Sequence, residues 1–64
     1  MNEKIVKKAR EMEEQVKMKG EQVELNIPAK ERKIIHLTLR DSEFVETVSE
    51  GEGEYRRIII RPKM

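Results

Sequence analysis

The chain has 64 residues, of which 42% are charged and 3% aromatic, with no cysteine, one histidine and a formal net charge of +1. A chain this short supports one domain with a small core and a shallow surface, not a deep pocket. Without thiols it has neither disulfides nor thiolate metal sites, which suits the cytoplasm.

The first segment places Ile5, Ala9, Met12 and Val16 at spacings of 4, 3 and 4, with charged residues between them. That stripe predicts an amphipathic helix over about 2–19, with Asn2 able to cap its start, Gly20 able to end it and Met12 filling core space. Val23, Leu25 and Ile27 then alternate with Glu24 and Asn26, the pattern of a half-buried strand over about 22–27. Pro28 stops that strand and suits the first turn of a second helix over about 28–41, apolar through Ile34, Ile35, Leu37 and Leu39. Two strands follow: Phe44 to Ser49, rich in β-branched residues, and Tyr55 to Arg61, with three successive isoleucines. Between them Glu50-Gly51-Glu52-Gly53-Glu54 reads as a turn, which makes a hairpin over about 44–61. The economical solution for helix-strand-helix-strand-strand is α+β, with two helices packed on one face of a small three-stranded sheet. The whole of 1–64 reads as a single domain. The longest apolar run, Ile58-Ile59-Ile60, falls far short of the roughly 20 residues that span a bilayer, and no charged-then-apolar leader precedes it. A soluble protein without membrane insertion is expected.

Charge is distributed in blocks that the small net value hides. Residues 1–26 carry six basic and six acidic side chains, and 27–40 carry Lys30, Arg32, Lys33 and Arg40 against Glu31 alone. The acidic block of 41–55 holds Asp41, Glu43, Glu46, Glu50, Glu52 and Glu54, and the closing basic block holds Arg56, Arg57, Arg61 and Lys63. If the two basic blocks meet in space, they form a basic patch.

In the second helix Arg32 and His36 are four residues apart and so share a face, with Arg40 a turn further on and Lys33 beside them. Arg32 offers a planar fork for two phosphate oxygens, and His36 adds an N–H donor and a flat surface for a base. Arg32 also lies near the helix start, where free amides and the helix dipole favour an anion. The spacing by itself fits equally a packed or surface histidine beside a solvated arginine. In the last strand Arg57 falls on one face with Tyr55, Ile59 and Arg61, while Arg56 falls with Ile58 and Ile60, which are expected to face the core. Arg57, Arg61 and Lys63 can then extend the basic surface, or be a solvated strand end.

Other chemistry finds little support. One histidine and no cysteine leave little from which to build a nucleophile, a base and an oxyanion site, so an enzyme is not expected. The acidic turn lacks a calcium-loop pattern and Gly51-x-Gly53 precedes no helix, so neither a metal nor a nucleotide cofactor is expected. Tyr55, Phe44 and His36 are the available stacking planes, and Phe44 is expected to be buried, which limits sequence readout by stacked bases.

The run Glu31-Arg32-Lys33-Ile34-Ile35-His36, the preceding Val23-Glu24-Leu25, the segment from Val45 to Glu52 with its Ser49-x-Gly51-Glu52 turn, and the strand Tyr55 to Lys63 together resemble the Arg-x-x-x-His, or R-three-H, domain. More narrowly they resemble the C-terminal domain of the bacterial Jag, or SpoIIIJ-associated, family. The resemblance covers nearly the whole chain. It implies sequence-tolerant, non-catalytic binding of single-stranded nucleic acid, RNA before DNA, with Arg32 and His36 on the binding face. It also implies a terminal domain whose neighbour in a longer protein is an RNA-binding KH domain; a monomer is expected. One departure is that Pro28 and Ala29 stand where a polar cap followed by proline is expected. The rival reading is a protein-interaction module in which the basic residues only maintain solubility.

Overall fold

The computed structural model describes residues 3–63. They form α1 (Glu3–Lys19), β1 (Val23–Leu25), α2 (Ala29–Leu39), β2 (Val45–Glu50), a 3-10 turn (Gly53–Tyr55) and β3 (Arg57–Pro62). The order is helix-strand-helix-strand-strand, as the pattern predicts. The sheet order is β1-β3-β2, with both pairings antiparallel. Asn2, the predicted cap of α1, lies outside the described residues. At the other end Gly20 takes φ +70° and its N–H donates to the Val16 carbonyl at 2.8 Å, the αL ending that glycine permits. Among the described residues no helix is long and apolar enough to cross a membrane.

Alternation along β3 organises the layers. Ile58 and Ile60 point to the helices and are fully buried with Val45 of β2, Ala9 and Val16 of α1, and Ile35 and Leu39 of α2. Ile5, Met12, Val23, Leu25 and Ile27 pack around this cluster, so Met12 does fill core space. Each buried isoleucine contributes about 1.5–3 kcal/mol. Both helices therefore cover one face of the sheet. Ile59 points to the other face, yet is only 5% exposed. Its cross-strand partners there are Glu24 and Val48 and its same-face neighbours are Arg57 and Arg61, whose aliphatic stems can cover it.

Three local departures from the sequence pattern have physical causes. β1 ends at Leu25, two residues early, because the Ile27 carbonyl accepts from the Arg32 side chain and not from a neighbouring strand. Pro28 stands at the N-cap of α2 (φ −58°, ψ 152°), one position before the first turn, and its carbonyl accepts from the amides of Glu31 and Arg32 at 3.0 Å. Phe44, expected to be buried, is 47% exposed, with the Lys17 ammonium 4.0 Å from its ring centroid. The turn before β2 aims Val45 into the core, and strand alternation then sends its neighbour Phe44 outward.

That turn is built on one hydroxyl. Ser42, 8% exposed, donates from Oγ to Glu13 Oε2 at 2.5 Å and accepts from the amides of Phe44 and Val45 at 3.1 and 3.2 Å. It thus joins α1 to the entrance of β2. At the opposite end of the hairpin Gly51 takes φ +93°, and a Cβ there would lie 2.5 Å from the Tyr55 carbonyl oxygen, so the turn needs glycine.

The Ser42 hydrogen bond holds the Glu13 carboxyl below its ordinary value of 4.5; burial opposes the shift, and Arg10 and Lys17 add to it. A carboxyl lowered in the folded state stabilises the fold fully above its unfolded value and loses that contribution as pH falls through the folded value. Glu13→Gln is expected to flatten the loss of stability between about pH 5 and 3 in urea unfolding curves. Ser42→Ala should cost about 1–3 kcal/mol by leaving buried groups unpaired. An unchanged acid slope in Glu13→Gln would contradict this account of the turn.

Candidate nucleic-acid interface

Ile35 and Leu39 commit one face of α2 to the core, and the adjacent face, carrying Arg32, Lys33 and His36, is left beside the turn end of the hairpin. There a shallow groove of about 270 Å³ is lined by Ala29, Arg32, Lys33, His36, Ser49 and Arg56. Three cations and an imidazole line it, and no carboxylate does. A second hollow continues past Arg32 and Arg56 toward Asn26, Pro28 and Glu54. Because Glu54 lies along it, the first groove is the better place for a polyanion.

Arg32 is held in place before any ligand arrives. Its Nη1 donates to the Ile27 carbonyl at 2.6 Å and, more weakly, to the Arg56 carbonyl at 3.4 Å. These bonds tie α2 to the β1–α2 connection and to the entrance of β3. They occupy Nη1 and leave the Nε–Nη2 edge, which is the geometry that grips two oxygens of one phosphate. His36 is exposed, and its Nδ1 lies 2.6 Å from Thr47 Oγ1 on β2. The imidazole therefore also rests on the hairpin, with its other nitrogen turned from Thr47. The amides of Ala29 and Lys30 open the helix, with no side-chain cap on Pro28 to compete for them. Proline in place of a polar cap thus leaves this end accessible to an anion.

The fold does not gather all the basic residues that the sequence suggested. Arg57 and Arg61 lie on the helix-free face of the sheet, on the side opposite the groove. Arg57 donates from Nε to Glu24 at 2.6 Å and from Nη2 to Glu50 at 3.3 Å, and Arg61 from Nε to Glu46 at 2.9 Å. Their charge is answered by carboxylates on neighbouring strands, and the fold does not bring this pair to the groove beside Arg32 and His36. Arg40 follows the last residue of α2, about 12 Å along the axis from Arg32, with Nε 4.0 Å from Asp41. Lys63 lies roughly 20 Å along the strand from Arg57, at the open end of the hairpin, where Nζ donates to the Ser42 carbonyl at 3.2 Å. Neither lines the groove.

Arg56 takes their place. It precedes β3 and shares the parity of Ile58 and Ile60, which carries it to the helix side. The same alternation that assigns the isoleucines to the core was the signal for it. Tyr55, 76% exposed beside it, offers an aromatic plane near the turn.

Since Arg32 both bridges segments and faces the groove, its removal should be felt in stability. Arg32→Ala is expected to lower unfolding free energy by about 1 kcal/mol, and Arg32→Lys to recover only part of it, because an ammonium cannot reproduce the fork. Equal melting temperatures for all three proteins would show that the two carbonyl bonds are not formed in solution.

The family model of the R-three-H domain matches residues 3–62. No curated protein matches the chain.

Proposed function

This chain belongs to the R-three-H domain family, whose members are generally nucleic-acid-binding domains, and from that premise we propose that it binds single-stranded RNA, without catalysis, through Arg32, Lys33, His36 and Arg56. The observation that carries this reading is the acid-free groove in which the Arg32 guanidinium is already oriented by two backbone carbonyls. Orienting a long side chain beforehand removes part of the entropy that binding would otherwise cost. The contacts are to phosphate, since few aromatic planes stand near the groove, and recognition is accordingly tolerant of sequence.

The Jag-like character of the Ser49-x-Gly51-Glu52 turn and the strand after it supports a bacterial, cytoplasmic setting and the choice of RNA. In such a setting a KH domain in the same protein would add its own phosphate contacts. Tethering would then raise the affinity of two individually weak sites.

Titration of fluorescently labelled single-stranded RNA and DNA oligomers tests the reading. For three phosphate contacts, log affinity should fall against log salt with a slope of about −2. Arg56→Ala and Lys33→Ala are each expected to weaken binding several-fold and to make that slope shallower by about 0.7. Arg57→Ala and Arg61→Ala should leave both quantities unchanged, since their ion pairs lie on the other face. A flat salt response, or equal effects of Arg56 and Arg57, would favour a protein-docking role and remove this groove as the binding site.

A further inference from the structure

Thr47 has no part in the binding reading so far, yet it is the residue on which the motif histidine rests. It sits on the helix-facing side of β2, opposite Ile60, and is half-buried. Its hydroxyl lies 2.6 Å from His36 Nδ1, and among the described residues no other acceptor is recorded for that hydroxyl proton. A contact this short pairs one donor with one acceptor, and a hydroxyl always has a proton to give, whereas Nδ1 of a neutral ring can take either part. With Thr47 as the donor, Nδ1 accepts and the imidazole proton sits on Nε2, the nitrogen turned from Thr47.

We infer that Thr47 is the positioning residue of this site, fixing His36 as a neutral Nε2–H donor presented to the groove. The inference rests on the nucleic-acid reading and deepens it. A phosphate oxygen accepts hydrogen bonds and never donates one at neutral pH, so only the Nε2–H form of a neutral ring is complementary to it. In the other tautomer the ring would turn a lone pair toward the phosphate. Thr47 also restrains rotation about the Cβ–Cγ bond, a torsion with broad minima that leaves an unrestrained imidazole free to swing. Arg32 is held by backbone carbonyls at one edge and His36 by a hydroxyl at one nitrogen. In both, the bonded side faces the hairpin or loop and the free side faces the ligand.

Long-range nitrogen–proton correlation spectra of the imidazole, recorded above the range in which histidine titrates, read the tautomer directly. The unaltered chain should show Nε2 protonated and Nδ1 as the acceptor, and Thr47→Val, which keeps the shape and removes the hydroxyl, should show averaged nitrogen shifts. The same variant should bind a labelled single-stranded RNA oligomer about three- to tenfold more weakly, and Thr47→Ser should restore both the spectrum and the affinity. A ring protonated on Nδ1 in the unaltered chain overturns the inference even if Thr47→Val fails to fold. So does a folded Thr47→Val that binds as tightly as the unaltered chain, or a Thr47→Ser that rescues neither readout. If the unaltered chain binds neither RNA nor DNA, the binding reading itself fails and the positioning role falls with it, whatever the spectrum shows.

Discussion

The alternation of side chains along β3 is the constraint from which the rest of this small molecule follows. Ile58 and Ile60 must leave water together, and in a chain of 64 residues only the two helices can cover them. Placing both isoleucines against α1 and α2 assigns every other residue of the strand. Arg57, Ile59 and Arg61 go to the open face, where Glu24, Glu46 and Glu50 pair with the arginines. Arg56, one residue earlier, goes to the side of α2 and meets Arg32. Surface ion pairs contribute at most about 1 kcal/mol each, so they do not choose this arrangement. They accept the positions that burial of the isoleucines has imposed.

The groove has a second dependence, on polar bonds that cross between elements. A helix by itself would carry Arg32 and His36 as long, mobile side chains. Here the Ile27 and Arg56 carbonyls hold the first and Thr47 the second. Nη1 of the guanidinium and Nδ1 of the imidazole thus face inward, and the remaining nitrogens face out. This division explains why a domain with few stacking planes can still present an ordered set of donors. It also means that Arg32 cannot be exchanged for lysine without disturbing the bonds that tie α2 to its neighbours. The exposed Tyr55, beside Arg56 in the hairpin turn, adds an aromatic plane close to this end of the sheet.

Ser42 plays the corresponding part at the other end. Its single hydroxyl serves the Glu13 carboxylate and two amides, which fixes α1 against the start of β2 and sets the phase of that strand. The consequence is visible in Phe44, which leaves the core for the surface while Val45 enters it. The Glu13 carboxyl, held low by its bond to Ser42, couples this junction to acid and lies away from the groove.

Periodicity alone determined the element order, the α+β class and most of the core, because 3.6-residue and two-residue repeats of apolar side chains state directly which faces must be buried. It also placed Arg32, Lys33 and His36 on one helical face, and it put Arg56 on the parity of the core isoleucines. The same alternation set Arg57 and Arg61 on the face opposite the core isoleucines; what local pattern could not show is that Glu24, Glu50 and Glu46 would pair with them there. Nor could it show that Ile27 would surrender its carbonyl to Arg32, or that Ser42 would turn Phe44 outward. Those outcomes depend on bonds between residues distant in sequence, such as Ser42 with Glu13 and Arg32 with Arg56. A repeat along the chain carries no information about them, because what decides them is which groups the packed layers bring within hydrogen-bonding distance.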